Sequence, residues 1–174
     1  MSDNAARKSE KVQRMLFRRT VHRVWQLVKS GRRGELSDRD DQLADILLEH
    51  EQYGGHFEDT RILDGGAYEK GRTFNPFLHI STHQMVEDQL STENPIEATL
   101  FCETMEDRGC SRHEAIHFII MILLHVMYAS ASSKRSFDTA RYKRLLKRCR
   151  EVEPSEIDRV IEEDYSTKYR PDLH

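Results

Sequence analysis

The sequence is poor in the residues that mark several large classes of protein. Its three cysteines are an odd number without a C-x-x-C pair, so neither a disulfide framework nor a zinc knuckle is indicated. Reduced thiols in the cytoplasm are the expected state. A net charge of -3 does not indicate nucleic acid as a partner. The chain also lacks a glycine-rich phosphate loop and a nucleophile elbow, which disfavours nucleotide-binding and hydrolase functions.

Long apolar segments are missing as well. The N-terminus lacks the apolar core of a signal peptide. The most apolar stretch, residues 118–129, is interrupted by His125 and is too short to span a bilayer, which predicts a buried core helix. With 37% hydrophobic and 33% charged residues, we expect a modest core and solvated helix faces. These features predict a cytoplasmic protein without a transmembrane segment.

Helical periodicity is what the sequence has instead. Apolar residues recur at helical spacing over residues 11–30, and glycines and prolines separate the later periodic segments. Residues of the kind that cap helix N-termini precede these segments, namely Ser37, Asn75, Asn94 and Ser111. No segment predicts a sheet. We therefore predict an all-α fold, a small bundle of about five to seven helices with a long loop at 52–75 before the central three-helix segment.

The predicted organisation has three parts, because 174 residues suit one domain with short extensions. Residues 1–9 are predicted to be a flexible N-terminus and residues 10–150 a single helical domain. Residues 151–174 are predicted to form a short acidic helical extension.

Two of the predicted helices each begin with a pair of histidines four residues apart. His79 and His83 form the first pair, with Glu87 four residues further on, and His113 and His117 form the second. Residues at i, i+4 and i+8 share one helix face. In an up-down bundle these two helices run parallel, with one helix between them, so both pairs lie at the same end. The sequence therefore predicts one shared metal site.

The imidazole-rich ligand set favours zinc, iron, manganese or nickel over calcium or magnesium. Residues 113–117 also match the H-E-x-x-H motif of zinc proteases, which makes Glu114 the candidate catalytic proton-transfer group, with a metal-bound water as nucleophile. Against a protease, Ile120 and Leu123 stand where the metzincin motif continues with glycine and histidine. Glu114 also occupies the capping-box position three residues after Ser111. Whether the protein is an enzyme stays open.

A structural role is the competing explanation for the histidines. A histidine on a mixed helix face is commonly a hydrogen-bonded structural residue. His50 and His56 are further candidate ligands that a loop could bring to the site, although their spacing indicates nothing. His22 stands among arginines and is expected to be solvated, whereas His174 is terminal.

Basic segments support a function of a different class. The helix over residues 11–30 carries several arginines beside its apolar stripe, and a second basic stretch covers residues 141–150. Such helices could bind a protein or a nucleic acid, which would make the chain a non-enzymatic interaction module. Acidic residues follow each basic stretch, so intramolecular charge balance explains both without a partner.

One segment carries a family resemblance. The residues NPFLH at 75–79, with His83 and Glu87 following, resemble a segment of a bacterial family, the domain of unknown function 1841. The residues LEH at 48–50, with Tyr53, resemble the family's upstream EHPEYH segment.

The resemblance covers about residues 10–148, with departures. Glu51 replaces the proline of EHPEYH, and two glycines precede His56. Residues 113–117 fall where the family also carries His, Glu and His. The resemblance implies a helical bacterial protein, and the residues from 151 onward look like an addition. The sequence as a whole predicts a helical bundle that binds a transition metal through His and Glu residues, with the interaction module as the alternative.

Overall fold

The computed structural model describes residues 2–62 and 75–168, and every regular element in these ranges is a helix. The α-helices are α1 (Ser2–Lys29), α2 (Asp38–Glu49), α3 (Gly54–Glu58), α4 (Pro76–Ser91), α5 (Ile96–Asp107), α6 (Arg112–Ser132), α7 (Thr139–Arg150) and α8 (Ile157–Lys168). Short 3₁₀ turns lie at Arg33–Glu35, Glu51–Tyr53, Thr60–Ile62 and Pro154–Glu156. The predicted all-α class is confirmed.

The predicted long loop at residues 52–75 is partly helical. Its first part contains α3 between two 3₁₀ turns, and this short helix brings the described total to eight, so the bundle has roughly the predicted size of about five to seven helices. Gly54 permits the compact path, because it approaches the indole ring of Trp25 so closely that a Cβ atom would lie 2.8 Å from Cζ2. Residues 63–74, with the second pair of glycines, lie outside the described residues.

The chain forms two compact units, residues 1–84 and 85–174, and the boundary falls within α4. This division differs from the predicted limits at residues 9 and 150, which stay predictions. The first helix extends further than its apolar stripe indicated, since α1 begins at Ser2 rather than near Lys11.

Local capping residues determine where several helices begin. The Ser37 hydroxyl accepts a hydrogen bond from the Asp40 N–H at 3.3 Å, which begins α2 as predicted. Gly31 follows the C-terminal end of α1 and has a φ of 72°, a left-handed conformation that favours glycine. The predicted cap at Asn94 was wrong, because α5 begins at Ile96 without a side-chain cap. The Glu97 carboxylate, in the first turn of α5, lies 3.3 Å from the Lys147 ammonium.

The core of the first unit is built around α1. Trp25 is buried, packs edge-on against Phe57 with ring centroids 5.5 Å apart, and donates from Nε1 to the Glu58 carboxylate at 3.0 Å. Helices α2 and α3 pack on α1 and supply the other apolar side chains. The buried hydrophobic residues of this unit are Val21, Val24, Trp25, Leu43, Ala44, Ile46, Leu47, Phe57, Phe77 and Ile80.

The core of the second unit is built around α6. This helix has 21 residues, longer than the apolar run indicated, and it is the one described helix whose length and composition would suit a bilayer span. Its residues Ile116, Ile119, Leu123 and Val126 are buried against α5, α7 and α8. This burial is the arrangement of a core helix, as predicted for the apolar stretch.

Candidate metal centre

His50 is the most deeply buried histidine of the first unit, with 0% of its surface exposed. It is the C-cap residue of α2, and its Nδ1 lies 2.7 Å from the Ile46 carbonyl oxygen. A carbonyl only accepts, so Nδ1 carries the proton and donates it. In the neutral ring Nε2 then carries a lone pair, which is the form of imidazole that binds a metal.

His79 and His83 reach His50 from α4. The Asn75 side-chain oxygen accepts hydrogen bonds from the N–H groups of Phe77 and Leu78, at 3.1 and 3.2 Å, so the predicted cap is confirmed. This start places His79 and His83 one turn apart on the same face of the helix.

The three rings converge. Nε2 of His79 lies 2.9 Å from Nε2 of His50. The ring centroid of buried His83 lies 4.4 Å from that of His50 and 4.7 Å from that of His79. A ring nitrogen of His83 lies within 4.8 Å of one of His50. We call His50, His79 and His83 the histidine cluster.

Tyr53 forms a wall of the histidine cluster. Its ring is nearly parallel to that of His50, with an interplanar angle of 16° and centroids 6.0 Å apart. It meets His79 edge-on at the same centroid distance. Tyr53 is followed directly by Gly54, the residue that packs against Trp25. The residue next to Tyr53 therefore packs directly on the core of the first unit.

The second histidine pair lies in the first turns of α6, in the second unit. The rings of His113 and His117 are 4.3 Å apart between centroids, and a nitrogen of one lies within 4.8 Å of a nitrogen of the other. Both side chains are half-buried. The predicted spacing thus does place the two imidazoles of this pair together. Their participation in one site with His79 and His83 stays a prediction.

Glu87, the predicted carboxylate ligand, has a different contact. One of its oxygens accepts from the Arg112 guanidinium at 2.7 Å, within the second unit. The ion pair is partly exposed, so its contribution to stability is small. Metal coordination by this oxygen would require Arg112 to give up its hydrogen bond.

Glu114, the predicted catalytic residue, forms the capping box of α6. Its carboxylate accepts from the Ser111 N–H at 2.8 Å and from the Ser111 hydroxyl at 2.7 Å, while the Ser111 hydroxyl accepts from the Glu114 N–H. The hydrogen bond from the Ser111 side chain, followed by that from its N–H, holds the pKa of Glu114 below its ordinary value. A carboxylate bonded in this way is a poor proton acceptor.

Two other histidines occupy structural positions. His22 was expected to be solvated, but it is half-buried and its Nδ1 lies 2.8 Å from the Phe57 carbonyl, which corrects that prediction. His125 lies 3.0 Å from the Asp164 carboxylate in the second unit. His174 lies outside the described residues.

His50 is the residue that sequence reasoning undervalued. It has no partner at i+4, so the helical-spacing argument does not select it. The signal lay elsewhere, in the LEH segment that carries the family resemblance. Tertiary packing then brings His50 to two residues that are 29 and 33 positions further along the chain.

Comparisons with known proteins agree with the resemblance. No curated protein and no solved structure matches the chain. A family model described as a domain of unknown function (DUF1841) matches residues 13–148, which covers the histidine cluster, the α6 pair and α7 almost to its end. The chain belongs to the DUF1841 family.

Proposed function

We propose that this protein binds a divalent transition-metal ion at the histidine cluster of His50, His79 and His83. The observation that carries the proposal is the convergence of three imidazole rings, in which His79 Nε2 lies 2.9 Å from His50 Nε2 and the His83 ring packs against both other rings. The Ile46 carbonyl orients that ring, in the way that metal-binding histidines are commonly held by their second nitrogen.

The ligand chemistry favours late first-row ions. Imidazole suits zinc, nickel and iron, whereas calcium and magnesium prefer oxygen ligands. Zinc, iron, manganese and nickel remain the proposed ions, and the neutral ligands favour zinc and nickel among them. Three histidines supply three of the four positions of a tetrahedral site.

His113 and His117 are proposed as additional ligands on the sequence argument alone. Their spacing matches that of His79 and His83, and both pairs occupy the first turns of their helices. The proposal for the histidine cluster does not depend on them, which allows the two ligand sets to be tested separately.

An enzymatic role has less support than metal binding. The H-E-x-x-H match at residues 113–117 requires Glu114 to be a free base. Its carboxylate is bonded to Ser111 instead. Metal binding is therefore proposed without an assigned reaction.

The interaction module has less support as well. Arg23 pairs with Asp40 at 2.8 Å, and Arg33 pairs with Asp45 at 2.7 Å, so acidic residues of α2 balance part of the basic charge that precedes them. Glu97 and Glu163 contact basic residues of α7 in the same way. These pairs favour the explanation by intramolecular charge balance.

The test is elemental analysis of untagged protein purified without chelator and, separately, of apoprotein reconstituted with Zn²⁺, Ni²⁺ or Mn²⁺. Near-stoichiometric metal is expected in the parent chain and is expected to be lost in His79→Ala/His83→Ala. The variant His174→Ala removes a histidine outside the described residues and is the matched control.

The variant His113→Ala/His117→Ala separates the ligand sets. If this variant retains the metal, the histidine cluster alone forms the site. If the variant loses the metal, His113 and His117 belong to the site as well. Absence of metal from the parent chain after reconstitution would overturn the proposal and leave the histidines as structural residues.

A further inference from the structure

A polar cavity of about 810 Å³ lies between the end of α6 and the start of α7, within the second unit. Serine, threonine and arginine side chains dominate its wall, and Phe137 supplies an aromatic surface. None of these residues belongs to the candidate metal centre. We call it the α6–α7 cavity.

Arg141 is the buried charge of this cavity, with only 4% of its surface exposed. Its Nε donates to the Asp164 carboxylate at 2.8 Å, and its Nη2 lies 3.1 Å from Nε2 of His125. These contacts use one side of the guanidinium group. The other terminal nitrogen, Nη1, donates to no described residue, which leaves two N–H groups on a side chain that lines the cavity.

Further donors lie around the rim. The hydroxyls of Ser133, Ser136 and Thr139 and the guanidinium group of Arg135 line the cavity, and no described residue forms a side-chain hydrogen bond or ion pair with them. Such a set of hydroxyl and guanidinium donors matches the several acceptor oxygens of a phosphate group.

The carboxylate of Asp138 also lines the cavity, and it would repel an anion if it pointed inward. One of its oxygens caps α7 by accepting from the Arg141 N–H at 2.9 Å. The Asp138 N–H in turn donates to the Ser130 hydroxyl at 3.3 Å. Asp138 is thus engaged in starting α7. The charged side chains of the lining are two arginines and this one aspartate.

Phe137 gives the cavity an apolar side. Its ring packs edge-on against the buried ring of Tyr142, with centroids 5.6 Å apart. An aromatic surface beside a group of oxyanion donors suits a ligand with an anionic head and an organic body. The volume is also larger than an inorganic phosphate ion requires.

We propose that the α6–α7 cavity binds a small phosphomonoester. Its phosphate group contacts Arg135, Arg141 and the rim hydroxyls, and its organic body lies against Phe137. This site is separate from the proposed metal centre and does not depend on metal.

The test is calorimetric titration of the full chain with phenyl phosphate, inorganic phosphate and phenol. Saturable binding of phenyl phosphate is expected, with weaker binding of inorganic phosphate and none of phenol. Arg135→Ala should weaken phenyl phosphate binding by roughly 10- to 100-fold, because a charge-assisted hydrogen bond is lost. Arg144→Ala removes the same charge from an exposed position on α7 outside the lining, and it should leave binding unchanged.

Arg141→Lys tests the buried donor in a chain that keeps its charge, and it should also weaken binding. Circular dichroism and thermal unfolding establish that each variant is folded. Absence of saturable phenyl phosphate binding, equal binding of phenol, or an equal effect of Arg135→Ala and Arg144→Ala would each overturn the proposal.

Discussion

The Nε2 atoms of His50 and His79 lie 2.9 Å apart, the distance of an N–H···N hydrogen bond. His50 donates its Nδ1 proton to Ile46, so in the neutral pair His79 donates to His50. Two nitrogens on a tetrahedral zinc ion lie about 3.4 Å apart, given Zn–N bonds of about 2.05 Å. If both Nε2 atoms bind one ion, they must therefore move apart by a few tenths of an ångström. The proton on His79 Nε2 must also leave that nitrogen.

His50→Ala should have two effects, one on metal and one on the apoprotein. We expect loss of retained metal, and a fall of roughly 1–3 kcal/mol in the free energy of unfolding in chelator, because the buried Ile46 carbonyl loses its donor. Urea unfolding with and without chelator measures both. His79→Ala, at a half-buried position, should lose metal with a smaller effect on the apoprotein. Unchanged metal content in His50→Ala would contradict the assigned role.

Gly54→Ala should destabilise the first unit. The new Cβ would lie 2.8 Å from a Trp25 ring atom, and overpacking of this kind costs about 1–3 kcal/mol. Gly55→Ala is a matched control in the same short helix, because no atom lies within 4 Å of its Cβ position. Trp25 is the one tryptophan of the chain, so its fluorescence reports the unfolding directly. Equal stability of the two variants would refute the close contact.

Asp164 should make the stability of the second unit depend on pH. Burial alone would raise the pKa of Asp164, but hydrogen bonds from Arg141 and His125 outweigh it and hold the pKa below the ordinary value. Because its pKa is lower in the folded state, ionised Asp164 stabilises the fold at pH values above its unfolded pKa of about 3.9. This stabilisation is lost as the pH falls through the folded pKa. The stability gap between parent and Asp164→Asn should therefore narrow as pH falls below about 5.

Asp158→Asn, an exposed aspartate of the same helix, is the control for that measurement. Denaturant unfolding at a series of pH values gives the two gaps. If the difference in unfolding free energy between the parent and Asp164→Asn stays constant as the pH is lowered, the ion pair of Asp164 is not the cause of that difference.

The three thiols should react at different rates with a thiol reagent. Cys102 and Cys149 are buried, and burial raises the pKa of each to about 11, so little thiolate forms at neutral pH. Cys110 is half-buried and should react first in the native protein. We expect one thiol to be labelled rapidly and two only on unfolding, as counted by mass spectrometry. Rapid labelling of Cys102 or Cys149 at neutral pH would contradict their burial.

The sequence by itself determined the helical class, most helix starts and the pairing of histidines within a helix. These features depend on interactions over three or four residues, such as the Ser111–Glu114 capping box and the His113–His117 pair. The Asn94 cap is where this local reasoning failed, because α5 begins at Ile96 without a side-chain cap and the Glu97 carboxylate contacts Lys147 of α7.

Only the tertiary structure decided which histidine lies against His79 and His83 of α4. It also decided which carboxylates already form hydrogen bonds within the protein. His50, buried at the end of α2, lies against His79, which is 29 residues further along the chain. Glu87 accepts a hydrogen bond from Arg112, which is 25 residues further along. The α6–α7 cavity likewise depends on Asp164 holding Arg141 from another helix. Such contacts join residues far apart in the chain, and their geometry results from how the helices pack, which helical spacing does not specify.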